Sequence, residues 1–168
     1  SVFISIVYSL NDIIAAMVET RVAHKNDIDD VARLLSFIRM KEISSDEIEA
    51  LFTDTVSSKY RDIMLITDNN TPIGLASLNC VLKLNRIECR IDDVIIDPTL
   101  QGGGLGSRLI DACSHWAWAK GCYKIEFTSR AERTNAQNFY QKLGYEQRDS
   151  HIYTKFSPEV DYVKTEVI

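Results

Sequence analysis

Apolar residues recur along this chain with two different periods, and the places where the period changes mark its elements. Residues 20–27 (TRVAHKND) read as a short strand running into a helix cap at Asn26 or Asp27. Ile28, Val31, Leu34, Leu35 and Ile38 then fall three and four apart, the spacing of one helix face. A second helix is predicted from Ser45, with Ser44 or Ser45 as its cap, Glu47 in the first turn and Ile48, Leu51, Phe52 and Val56 as its stripe. After this the period shortens to two. DIMLITD at 62–68 and IGLASLNCVL at 73–82 are β-rich runs joined by NNTP, which suits a tight hairpin, and Asn85 marks the next turn. Residues 86–96 alternate at Ile87, Cys89 and Ile91, then lose alternation at Val94, Ile95 and Ile96, predicting either burial on both faces or a bulge.

The helical period returns after a glycine cluster. Leu105, Leu109, Ala112, Cys113 and Trp116 make one face, and Gly121 can end that helix. Trp116 and Trp118 cannot share the face, so one is expected at the core and the other at a surface or interface. A strand at 123–129, a helix at 133–143 ended by Gly144, and a last strand at 152–156 complete the series. The order predicts a mixed α/β domain.

Bulk properties narrow the function classes. A chain of 168 residues fits one core, and its 45% apolar and 26% charged residues are ordinary for a globular protein. A formal net charge of -5 argues against a nucleic-acid-coating surface. Cys80, Cys89, Cys113 and Cys122 form no C-x-x-C pair and have no histidine at metal spacing, so reduced core thiols and no metal site are expected. His24, His115 and His151 read as structural. No leader with a basic n-region and cleavage site is evident, which places the protein in the cytoplasm. Residues 1–19 are apolar, but Asn11 and Asp12 interrupt them well short of the ~20 residues of a membrane span, so no membrane partner is expected. They read as an N-terminal extension or as an element packed on the domain or on a partner chain, leaving a homodimer open, with residues 20–168 as a single domain.

Four of the seven glycines fall within QGGGLG, at 101–106, between VIIDP and the helix. At a strand-to-helix junction, glycines let backbone N–H groups converge on one point, where the helix dipole also favours an anion; a flexible helix start is the competing reading. Three phosphate loops can be tested by spacing. The P-loop pattern fails, because Ser107 and Arg108 stand where a glycine and a lysine are needed. A dinucleotide fingerprint also meets Ser107 at its third glycine, although Glu126 lies at a suitable distance for a ribose contact.

The third pattern, Q/R-x-x-G-x-G/A, is satisfied by Gln101, Gly104 and Gly106. Together with IDDVIIDP at 91–98 and RTNAQNFYQKLGY at 133–145, it makes the chain resemble the GNAT superfamily of acyl-CoA-dependent N-acetyltransferases from about Thr20 to Phe156. QGGGLGSRLID and GCYKI resemble the branch acting on glucosamine 6-phosphate, and AQNFYQKLGYEQRDSHIYTK the aminoalkylphosphonate branch. The resemblance implies a central mixed, mostly antiparallel sheet with helices on both faces. It also implies acetyl-CoA as cosubstrate, with pyrophosphate on Gln101, Gly102, Gly103, Gly104, Leu105, Gly106 and Ser107. The pantetheine arm would lie along Val94, Ile95 and Ile96. Asn135 would contact the arm, although Arg133 stands where the family often has asparagine. Lys142 and Arg108 would face the 3′-phosphate.

Acetyl transfer to an amine requires a deprotonated nucleophile and a proton for the departing thiolate. Among Glu88, Asp92 and Asp93, alternation puts Asp92 on a face with Glu88 and Arg90, and Asp92 is the preferred base; pairing with Arg90 is the competing role. Asp93 would point with the apolar set unless a bulge intervenes. The resemblance makes Tyr140 the acid; without it, Phe139 and Tyr140 would read as core aromatics. The expected function is N-acetyl transfer to a small primary amine within a ternary complex. A non-catalytic coenzyme A-binding or interaction module is the alternative, and a nucleotide-dependent oxidoreductase stands third.

Overall fold

The computed structural model describes residues 18–100, 102–129 and 134–157, which fall into two compact units divided after Thr128. The expectations for residues 1–17 and for Gln101 lie outside the described residues. Val18 and Glu19, assigned to the extension from the sequence, are the first two residues of β1 (Val18–Val22).

His24 caps a 3-10 turn at Lys25–Asp27, which leads into α1 (Ile28–Arg39). The Asp27 carboxylate accepts the His24 N–H and a two-pronged contact from Arg21, which holds its carboxyl below the ordinary range. Ser44 caps α2 (Ser45–Val56) in a reciprocal box with Glu47. β2 (Arg61–Asp68) and β3 (Thr71–Leu82) form the predicted hairpin, and its two central residues, Asn69 and Asn70, take the left-handed conformation that such a turn needs. β4 (Ile87–Ile96), a 3-10 turn at Pro98–Leu100, α3 (Leu105–Ala119) and β5 (Cys122–Glu126) follow.

The sheet order is β1-β2-β3-β4-β5, antiparallel throughout except for the parallel pair β4 and β5 joined by α3. Alternation sends one side-chain set to each face. One set, with Ala76, Leu78, Cys89 and Ile91, packs on Leu109, Cys113 and Ala117 of α3. The other, with Ile63, Leu65 and Leu75, packs on Val31 and Leu34 of α1 and Phe52 of α2. Trp116 packs against the α3-side core and donates to Asp62, while Trp118 is exposed.

The second unit contains α4 (Thr134–Lys142), close to the predicted helix. The strand expected at 152–156 does not form; residues 145–157 carry no regular element, and Ile152, Tyr153 and Phe156 are exposed. A strand is held by a ladder and by burial of one face. Among the described residues of this unit no other strand is present to supply the ladder.

Candidate active site

The irregularity on β4 has a definite geometry. Leu75 pairs with Ile95 and Ser77 with Asp92, so Asp93 and Val94 together oppose Ala76 alone. This is a bulge, and Asp93 takes the left-handed conformation, with φ of 49°. Both sequence alternatives therefore hold at once. Beyond the bulge, Val94 and Ile96 pack into the α3-side core and Ile95 into the α1-side core.

The bulge also decides where the carboxylates go. Asp93 does not join the apolar set: Ser77 donates to it at 3.1 Å, and the Arg39 guanidinium at the end of α1 reaches it at 3.3 Å. Asp92 accepts from Arg90 Nε at 3.0 Å and from Asn79 at 3.5 Å. Two adjacent carboxylates thus share one face, on the part of the sheet past the end of α1. On the same face Glu88 is buried, hydrogen-bonded by Arg86 at 2.7 Å and approached by Lys124 and Lys83 at 3.7 and 3.6 Å. The Arg86 hydrogen bond, with the two lysines adding to it, holds the Glu88 carboxyl below its ordinary range. Glu88 is thereby committed to its cations.

Next to this face, the ladder between β4 and β5 ends at Arg90 and Glu126, although β4 continues to Ile96. The last residues of β4 therefore extend past the strand that paired with its first half. Asp97 then shapes the exit: its carboxylate accepts the Thr99 hydroxyl at 2.7 Å and the Thr99 N–H at 3.0 Å, with Arg33 at 3.1 Å. These partners, Thr99 first, lower its pKa. Arg33 also ties to the Pro72 carbonyl at 2.6 Å, so the turn is fastened to both α1 and the hairpin.

Gly102, Gly103 and Gly104 all have positive φ, of 112°, 57° and 75°, and a Cβ placed on any of them would meet nothing within 4 Å. Conformation, not crowding, is what requires glycine here. The space above the loop is open. Gly104 caps α3; the Leu105 N–H turns back to the Gly102 carbonyl at 3.2 Å, while the N–H groups of Gly106 and Ser107 have no carbonyl one turn earlier within the helix. An open, side-chain-free cradle at the start of a 15-residue helix suits a pyrophosphate. Arg108, by contrast, donates to the Val18 carbonyl, on the side of α3 that meets β1.

In the second unit, Phe139 and Tyr140 meet edge to face with ring centroids 5.2 Å apart, and Tyr145 lies 6.3 Å from Tyr140. The Tyr145 N–H donates to the Tyr140 carbonyl as the chain leaves the helix through Gly144, whose φ is 85°. Tyr140 is half-buried, and Asn135 and Lys142 are exposed on the same helix.

Sequence reasoning did not single out Ser77, Asn79, Arg39 or the Arg33 and Asp97 pair. Ser77 and Asn79 had a signal, being polar at alternate positions within an otherwise apolar strand. Asp-Pro-Thr had one too, as an aspartate able to cap its own turn. Arg39 had none, since its contact spans 54 residues.

Comparison with known proteins bears on the family and the fold. Glucosamine 6-phosphate N-acetyltransferase of Trypanosoma brucei brucei is 37% identical over 76 residues, which cover 44% of this chain and 50% of that protein. Aminoalkylphosphonate N-acetyltransferase of Salmonella typhimurium is 25% identical over 140 residues, covering 82% of this chain and 90% of its own length. The chain thus spans about half the length of the trypanosomal relative. An aminoglycoside N-acetyltransferase solved in complex with CoA shares the fold, with a TM-score of 0.73 at 18% identity over 83% of this chain and 94% of that one. The model of the acetyltransferase (GNAT) family matches residues 28–145, and the chain belongs to that family.

Proposed function

We propose that this protein transfers the acetyl group of acetyl-CoA to a small primary amine, directly within a ternary complex. The observation that carries this reading is the continuity of one segment. The bulge at Asp93, the free run of β4 past β5 and three left-handed glycines at the start of α3 follow one another within a dozen or so residues. The loop from Gly102 to Ser107 holds the pyrophosphate through its backbone N–H groups, apart from that of Leu105, which donates to the Gly102 carbonyl; Gln101 completes the motif, and Val94, Ile95 and Ile96 align the arm. Asn135 and Lys142 are assigned to the same cosubstrate through the late motif. Family membership and the relatives, two of them named for amine substrates, support the reaction class.

The amine nitrogen attacks the thioester carbonyl, a C–N bond forms, the C–S bond breaks, and the thiolate leaves. Asp92 takes the amine's proton, directly or through water, and Tyr140 gives its phenolic proton to the thiolate; phenol and thiol pKa values are close enough for that transfer. The Arg90 contact orients the Asp92 carboxylate. Free Cys80, Cys89, Cys113 and Cys122 fit a reducing compartment, and we place the protein in the cytoplasm.

Calorimetric titration with acetyl-CoA tests the cosubstrate, with micromolar binding expected and none with NAD. Thiol release in the presence of amines tests the reaction. Tyr140→Phe separates an enzyme from a binding module: turnover falls by roughly 100-fold or more with acetyl-CoA affinity unchanged. An unchanged turnover rejects Tyr140 as the acid.

A further inference from the structure

The acceptor face is layered by charge. The carboxylates lie low on the sheet, with Asp92 and Asp93 side chains 32% and 29% exposed and Glu88 6%. The cations stand above them, Arg90 at 55% and Arg39 at 49%, with the cations around Glu88 close by. In a chain of net charge -5, the outer layer of this one face is positive. A ligand approaching it meets guanidinium groups first and carboxylates beneath.

Arg90 is prepared for more than its ion pair. It is anchored by Nε to Asp92, and among the described residues its two terminal nitrogens hold no other partner. That is the fork which binds a tetrahedral or planar anion through two parallel hydrogen bonds. Arg39 likewise holds Asp93, the neighbour of Asp92, by one terminal nitrogen, and among the described residues its other guanidinium nitrogens hold no further partner. Their anchoring lowers the entropic cost of ordering them around a ligand.

Resting on the acetyltransferase reading, we infer that the acceptor amine also carries a phosphate or phosphonate group, bound at the rim by Arg90 and Arg39, while its amino group lies on the Asp92 and Asp93 floor. A dianion suits two guanidinium groups better than a carboxylate does, and the half-buried floor carboxylates disfavour an acceptor that would press its anion against the sheet.

Three probes of similar size separate the contributions: 2-aminoethylphosphonate, β-alanine and propylamine, assayed by thiol release with the full chain. We expect kcat/KM to fall in that order, with the phosphonate exceeding propylamine by about 100-fold, mostly in KM. In Arg90→Gln the ratio of phosphonate to propylamine drops by about tenfold or more. Taking the ratio cancels whatever the change does through Asp92, because both probes share it. Arg39→Gln gives a smaller drop and serves as the second variant if the first does not fold. Equal rates for phosphonate and propylamine, a preference for β-alanine over the phosphonate, or a ratio unmoved in either variant overturns the inference and leaves the transferase reading standing. No thiol release with any amine overturns the transferase reading and this inference with it.

Discussion

The two faces of the central sheet are built from the same strands and differ in almost every physical respect. Toward α3, Ala76, Leu78, Cys89 and Ile91 meet Leu109, Cys113 and Ala117 in a closed apolar layer. Toward α1, the apolar layer stops after Leu75 and Ile95, and the next positions on that face are Ser77, Asn79, Arg90, Asp92 and Asp93. The period-two alternation of β3 and β4 makes this division possible, because successive residues of a strand serve opposite faces independently. One face can therefore hold the fold together while part of the other is given to polar chemistry. The bulge sharpens the division by turning a second carboxylate onto the polar side.

The largest expected contrast comes from neighbouring residues of β3. Leu78→Ala empties a fully buried site on the α3 side and costs about 3 kcal/mol, whereas Asn79→Ala on the other face changes stability by about 0.5 kcal/mol. Denaturant titration measures both. Similar losses would show that the polar face is as structural as the apolar one.

Gly74→Ala attacks the place where the faces meet. Its Cβ would lie 2.6 Å from Ile96 Cδ1, 2.7 Å from the Ile95 carbonyl oxygen and 2.8 Å from Ile66 Cγ2. Because one neighbour is backbone, the strands must separate, and we expect a loss of about 1–3 kcal/mol together with weaker acetyl-CoA binding.

Acid reaches the ion-paired carboxylates before it reaches the apolar core. Asp27, Glu88 and Asp97 have pKa values lowered in the folded chain, by Arg21, by Arg86 and by Thr99 respectively. A depressed carboxylate contributes stability that is present above its unfolded pKa, about 4, and is lost as pH falls through the folded value. Melting temperatures should therefore hold steady just above pH 5 and decline below about pH 4. Asp27→Asn should flatten that decline. Asp62, raised by burial beside Trp116, works in the opposite sense, since its ionisation costs stability as pH rises.

The smallest effect is chemical. Burial pushes the Cys89 and Cys113 thiols up to about 12 and Cys122 to about 11. Iodoacetamide at pH 8 should leave these three unmodified in the folded chain and label them once denaturant is added. Rapid labelling under native conditions would mean that the α3 side is less closed than its packing shows.

Much of this was legible in the residues. The stripe of α1, the Ser44 and Glu47 cap, the Asn-Asn hairpin, the face of α3 and the glycine run are local patterns, and each formed where the pattern placed it. The strand at 152–156 shows where that reasoning runs out: alternation states which residues would share a face, but a strand exists only if another strand accepts its hydrogen bonds. The bulge was visible as broken alternation, yet its phase was not. Whether Asp93 turned toward the apolar or the polar side depended on Ser77 and Arg39, far away in sequence.

The sequence by itself determined the elements from β1 to α4, the apolar layers and a glycine run at the start of α3, because helix and strand periods, caps and glycine conformations act over a few residues. Tertiary structure alone decided that Asp93 joins Asp92 on the polar face, that Arg39 reaches Asp93 and that β4 outruns β5. Those outcomes follow from strand register and long-range ion pairs, whose partners are set by the packing of the whole sheet.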